Sequence, residues 1–282
     1  MNKTKYIPVP KHGLIDKPGY YFLERDFISK DIYAIKIECN NVTLDLNKYS
    51  VLTQYKNKSI TTYGIFAPEQ TNTFILNGRI MGSSFGVHAP YSKNFSALLI
   101  AVHECSLVGM NIGGSFPSIK NCDIRYIGGH ESEGYAIGIN STDASNAVIS
   151  SNIIRDIYRQ NVSKDIIGEG VAILLGHDSK SCMISSNTVL NEQFDLNSYS
   201  LWAVGKSHLI TNNVFCNSQY GVYMGNSILQ SNIIMLKERQ DNSFAVSGGE
   251  GTCYGNALIN YEKDYNYELQ EETTKPIPFR IE

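Results

Sequence analysis

The stretch Ile149–Ile154 reads ISSNII, and the chain says it again as ISSNTV from Ile184, ITNNVF from Ile210 and LQSNII from Leu229. The asparagines in these phrases, Asn152, Asn187, Asn213 and Asn232, recur at roughly 20 to 35 residues, the period of a solenoid coil with loops of variable length. Looser members extend the row to Asn121 in SIKNCDI and Asn256 in CYGNALI, and back to Asn77 in FILNGRI and Asn47 in LDLNKYS. A second phrase interleaves with the first: GIFAP from Gly64, GVHAP from Gly86, AIGIN from Ala136, AILLG from Ala172, LWAVG from Leu201, GVYMG from Gly221 and AVSGG from Ala245. Each is short, apolar at alternate positions and rich in strand-forming residues, and helix-length amphipathic patterns are missing. Short strands at a coil period, with Asn and Gly between them, describe stacked parallel strands, because an isolated coil cannot bury its inner face.

With NNVTLDLNKYSVL from Asn40 and TNTFILNGRIMG from Thr71, which look like opening coils, the sequence resembles the right-handed parallel β-helix superfamily, the pectate-lyase-like solenoids. The resemblance covers roughly residues 33–259 and implies an all-β, single-domain right-handed parallel β-helix. Residues 1–32 then form an N-terminal cap, and 260–282, where the period is lost and charge rises, an irregular C-terminal tail or end cover. Such proteins carry an asparagine ladder, which assigns Asn121, Asn152, Asn187, Asn213 and Asn232 to scaffold. The superfamily holds lyases, hydrolases, epimerases, phage tailspikes and non-catalytic adhesins, so the resemblance speaks to fold and not to function. Its polygalacturonase branch carries NTD, DD, GHG and RIK phrases, whereas this chain has STD at Ser141, no DD, and the incomplete GHE and GHD at Gly129 and Gly176. The DPHE phrase of the mannuronan epimerases is absent too, so no catalytic residue is carried over.

Composition narrows the partners. Charged residues are 18% of the 282 and the formal net charge is −3, which leaves no electrostatic footprint for tracking phosphates, and nucleic acid drops out. No apolar run is long enough to span a bilayer, and none near residue 1 resembles a signal-peptide core. The expected location is the cytoplasm, or outside the cell by a non-classical or phage route. Six scattered cysteines without CxxC spacing read as small buried hydrophobes rather than a zinc or redox site. There is no HExxH, calcium-loop, phosphate-loop or dinucleotide phrase, so neither metal nor cofactor is implied.

Neighbours in a β-helix are residues at one position of successive coils, about 4.8 Å apart. GGHESEGYAIGI from Gly128 and DIIGEGVAILLGH from Asp165 each put Glu-Gly before a strand. Aligned on the second phrase, the position three before it reads Thr61, Ser83, Glu133, Glu169, Ser198, Ser218 and Asn242. Two carboxylates that close cannot both ionise cheaply, giving an acid beside a base, and a spacing near 5 Å is that of a retaining glycosidase pair. Glu133 and Glu169 are therefore the candidate catalytic pair, with His130, Glu131, Arg125, Arg159 and Tyr135 as substrate-binding groups; arginine in particular suits a carboxylate. The competing reading makes both glutamates solvated turn residues.

A rival row lies five after the phrase start and holds His177, Lys206 and Glu250 beside a run of glycines at Gly176, Gly205, Gly225 and Gly249, with Tyr223 nearby. A base next to a fixed cation suits elimination or epimerisation. Trp202, the single tryptophan, falls at an inward, core position, and His88 at an outward one. The leading functional expectation is a carbohydrate-active enzyme cleaving a glycan chain on the outer face. Two alternatives stand beside it: a non-catalytic glycan-binding or structural solenoid, trimeric if tailspike-like, and an intracellular biosynthetic enzyme acting on a small molecule.

Overall fold

A computed structural model of the chain describes residues 6–55, 60–130, 133–158, 168–249 and 251–266. Among these, 28 strands join into one continuous parallel sheet that turns at its corners into three faces. One coil shows the order: Ala136–Asn140 on the first face, Val148–Ser150 on the second, Ile153–Tyr158 on the third, and a return to the first at Gly170–Leu175. Each strand pairs with its counterpart one coil on, and parallel strands joined this way wind right-handed. The winding starts early. Tyr6–Pro8, Gly19–Phe22 and Phe27–Ser29, in the stretch expected to cap the entrance, already pair in parallel with the coils that follow. At the far end Ala257–Asn266 still pairs in parallel with Ile233–Gly248 beyond the expected limit at 259, through two register shifts between Met235 and Phe244; the rest of the tail lies outside the described residues.

Alternation puts one residue in two inside, and the inward ones stack in columns. Ile119, Ile149, Ile184, Ile210 and Leu229 are partners in successive coils, and all are fully buried. Each such side chain contributes about 1.5–3 kcal/mol of burial. The asparagines close the corner between the second and third faces. Asn152 Nδ2 donates to Asn187 Oδ1 at 2.9 Å, Asn187 to Asn213 at 3.0 Å, Asn213 to Asn232 at 2.9 Å and Asn232 to Asn256 at 3.0 Å. The same amides donate to backbone carbonyls of the preceding coil, so this buried column is saturated. Asn121 is not in it: Asn121 is exposed with φ +52°, and Cys122 holds the equivalent place, its backbone N–H donating to Asn152 Oδ1.

Register on the first face is set by a column of small residues. A Cβ added at Gly86 would lie 2.5 Å from the Gly109 carbonyl oxygen, one at Gly109 2.6 Å from that of Gly138, and one at Gly138 2.6 Å from that of Ala172. Only a residue with little or no side chain fits between such rungs. The cysteines are free thiols; Cys105, Cys122, Cys182 and Cys216 are buried, whereas Cys39 and Cys253 are partly exposed.

Candidate functional site

Two outward rows run up the first face. In the first, register joins Val171, Tyr199, Tyr220 and Phe244, and the rings of Tyr199 and Tyr220 stack at 4.5 Å and those of Tyr220 and Phe244 at 5.4 Å. In the second, Leu174, Trp202, Tyr223 and Ser247 are partners. Here the rings leave the stack: Trp202 lies 5.2 Å from Tyr223 at 52°, and Tyr223 stands at 88° to Tyr199. Trp202 is thus not core. It is half-buried on the outer face, packed against the small separate cluster of Val108, Ile137 and Val171. The shift from the expected parity arises at Ser200, whose place in the small-residue column adds an inward step before Leu201. A second aromatic patch occupies the same rows nearer the N-terminus, where Tyr33, Tyr63 and Phe85 stack at 5.4 Å intervals. His88 belongs to it: the imidazole stacks on Phe66 at 5.5 Å, its Nδ1 shares a 3.0 Å hydrogen bond with Asn111 Nδ2, and burial lowers its pKa to about 4.

The glutamates flank the aromatic rows at the corner between the third and first faces. Both are exposed, but they are not rung neighbours. Ala136 pairs with Gly170, so Glu169 faces Tyr135, and the Ala136 N–H donates to the Glu169 carbonyl at 2.8 Å. Glu133 is two residues further out. One rung and two residues separate backbone positions by about 8 Å rather than 5 Å. The expected alignment fails because the small-residue column runs through Gly138, not Ala136. Charge still links the carboxylates to the rings. Burial is the main cause of the raised Tyr135 and Tyr199 pKa values, and Glu133 adds to the first while Tyr220, Glu169 and Tyr223 add to the second.

The other predicted residues scatter. His130 is buried and lines a cavity of about 250 Å³ at the same corner, shared with Tyr55, Thr62, Ser83, Ser84 and Glu104. Arg125 points outward from the third face, where both oxygens of Asp123 engage its guanidinium. The rival row is not a row. Lys206 bridges to Lys180, three residues beyond His177, and Gly205 packs on Ser179 while Gly176 packs on Thr142. His177 and Lys206 are exposed and not brought together, whereas Tyr223 joins Trp202. Arg159, Glu131 and Glu250 lie outside the described residues. Reading the sequence missed Tyr199, Tyr220 and Trp202 as one surface; their common signal is the aromatic at the residue before, or two after, the small-residue column.

This architecture is that of the right-handed parallel β-helix proteins. The chain is similar to the Dettilon tailspike protein gp208, with 14% identity and a TM-score of 0.59 over 93% of this chain and 54% of that one. It is also similar to the catalytic domain of a GH87 alpha-1,3-glucanase in complex with nigerose, at 12% identity and TM-score 0.50 over 94% and 62% of the two chains. For the Agl-KA catalytic domain the figures are 12%, 0.52, 93% and 62%. The chain therefore spans between 54% and 62% of these structures, and at such identities the likeness is one of fold. No family model matches the sequence, and no curated protein matches it.

Proposed function

We propose that the chain binds a glycan on the outer first face and cleaves it with Glu133 and Glu169. The observation that carries the reading is the row of Trp202 and Tyr223, turned out of the aromatic stack and bordered by Glu169 through Tyr199. Half-buried aromatic rings offer an apolar body with a polar tip, which suits a sugar's apolar face and its hydroxyl rim. The similar structures named above, a tailspike and a glucanase domain bound to nigerose, support a carbohydrate ligand.

With backbone positions about 8 Å apart rather than about 5 Å, the two side chains can stand far enough apart to admit a water molecule between base and sugar, the arrangement of an inverting hydrolysis. One glutamate protonates the leaving oxygen and the other activates the water. The test is incubation with a panel of acidic and neutral polysaccharides, following new reducing ends and unsaturated-uronide absorbance together. Reducing ends without absorbance, an inverted anomer in the first products by NMR, and a loss of about 10²–10⁴-fold in Glu133→Gln and Glu169→Gln with unchanged glycan binding are expected. Absorbance, or full activity in both variants, would overturn the assignment.

A second reading keeps the ligand and drops the chemistry. Both glutamates are exposed, and no hydrogen bond from the described residues holds either carboxylate in place. A non-catalytic glycan-binding solenoid would bind in the same panel and never yield reducing ends.

A further inference from the structure

The third face carries on its outer side a basic group that the proposed site does not use. His103 is the rung neighbour of Arg125, Arg125 of Arg155, and Arg79 stands one coil before Ala101 on the adjacent row. Asp123 is already engaged: it holds Arg125 bidentately, and His103 Nε2 lies 3.8 Å from its Oδ2. Asp156, the other acid that Arg125 feels from the same sheet, accepts the Glu192 N–H at 2.8 Å. Arg155 is left with a guanidinium on one side and Leu190 on the other. Its Nε is buried and has no hydrogen-bond partner. A ligand would therefore meet the outer end of this half-buried fork, whose terminal nitrogens no side chain among the described residues engages.

We propose that Arg155, with Arg125 oriented by Asp123 and with Arg79 beyond it, is an oxyanion subsite for an acidic glycan, taking a uronate carboxylate or a sulfate ester. The inference rests on the carbohydrate reading and narrows it to anionic substrates. A planar guanidinium fork matches two oxygens of such a group, which an ammonium does not. The cluster is local, on a chain whose formal net charge is −3, so it fits one discrete anionic group rather than a polyphosphate backbone.

Calorimetric titration of the full chain with neutral, uronate-bearing and sulfated oligosaccharides of equal length tests this. The acidic ligand should bind at least about tenfold more tightly than the neutral one. That preference should shrink with added NaCl, and it should vanish in Arg155→Gln and weaken in Arg155→Lys. Whichever acidic arm binds better names the group. Equal affinities for acidic and neutral ligands, or a preference that survives in Arg155→Gln, would overturn the subsite and leave the carbohydrate reading standing. Binding of none of the three would overturn both. Should Arg155→Gln not fold, the wild-type ratio and its salt dependence decide, since a salt-insensitive or absent preference is incompatible with the subsite.

Discussion

Asn187 shows how much one side chain does in this fold. Its Nδ2 donates to the Ile149 carbonyl and to Asn213 Oδ1, and its Oδ1 accepts from both the backbone and the side-chain nitrogen of Asn152. Alanine there removes all four bonds and strands buried polar groups in two coils. The expected loss is on the order of 3 kcal/mol, read by urea denaturation, because each unsatisfied buried group costs about 1–3 kcal/mol. The adjacent Asn212 is exposed with φ +56°, so Asn212→Ala should cost only about 1 kcal/mol, from left-handed backbone strain. Equal losses in the two variants would mean that the amide column is not what holds the corner. Arg125 makes the opposite point. Its residue type suggested a sugar carboxylate as partner, yet Asp123, two residues earlier on the same strand face, takes that place.

At the scale of the element, register decides what meets what. The repeat was legible because Asn is demanded at a corner where the amide bonds both neighbours, and because Ile or Leu recurs inside. The alignment of the first face was less legible, since its true marker is a residue small enough to sit under the next carbonyl, and AIGIN offers two such residues. Alignment on Ala136 puts Glu133 beside Glu169, whereas the column itself runs through Gly86, Gly109, Gly138 and Ala172. The same packing predicts a pH response. His208 is fully buried, accepts the Cys182 N–H at Nδ1, and burial lowers its pKa to about 4 from an ordinary 6.5. The folded chain then binds fewer protons than the unfolded one below pH 6.5. Stability is full above about pH 6.5 and falls as the pH drops through 4, by on the order of 3 kcal/mol from this residue. In His208→Asn, the urea midpoint should depend less on pH across that window than in the wild type; an unchanged dependence would remove His208 as the cause.

On the scale of the whole molecule, the first face presents aromatic rows, the third carries basic residues, and the corner between them holds the glutamates and the cavity beside His130. The glutamates stood out as a repeated Glu-Gly phrase, but the aromatic and basic rows did not, because partners lie 19 to 35 residues apart in sequence and share only a position in the coil. Trp202 is the single tryptophan of the chain and stands in the middle of the aromatic face, so its fluorescence reports on that face alone. The most direct measurement is therefore a titration of the protein with an oligosaccharide that it binds or cleaves, following Trp202 emission. A saturable change, abolished in Tyr223→Ala, is the predicted result; cleavage or calorimetric binding of the same oligosaccharide with Trp202 emission unchanged would contradict a glycan site on the first face.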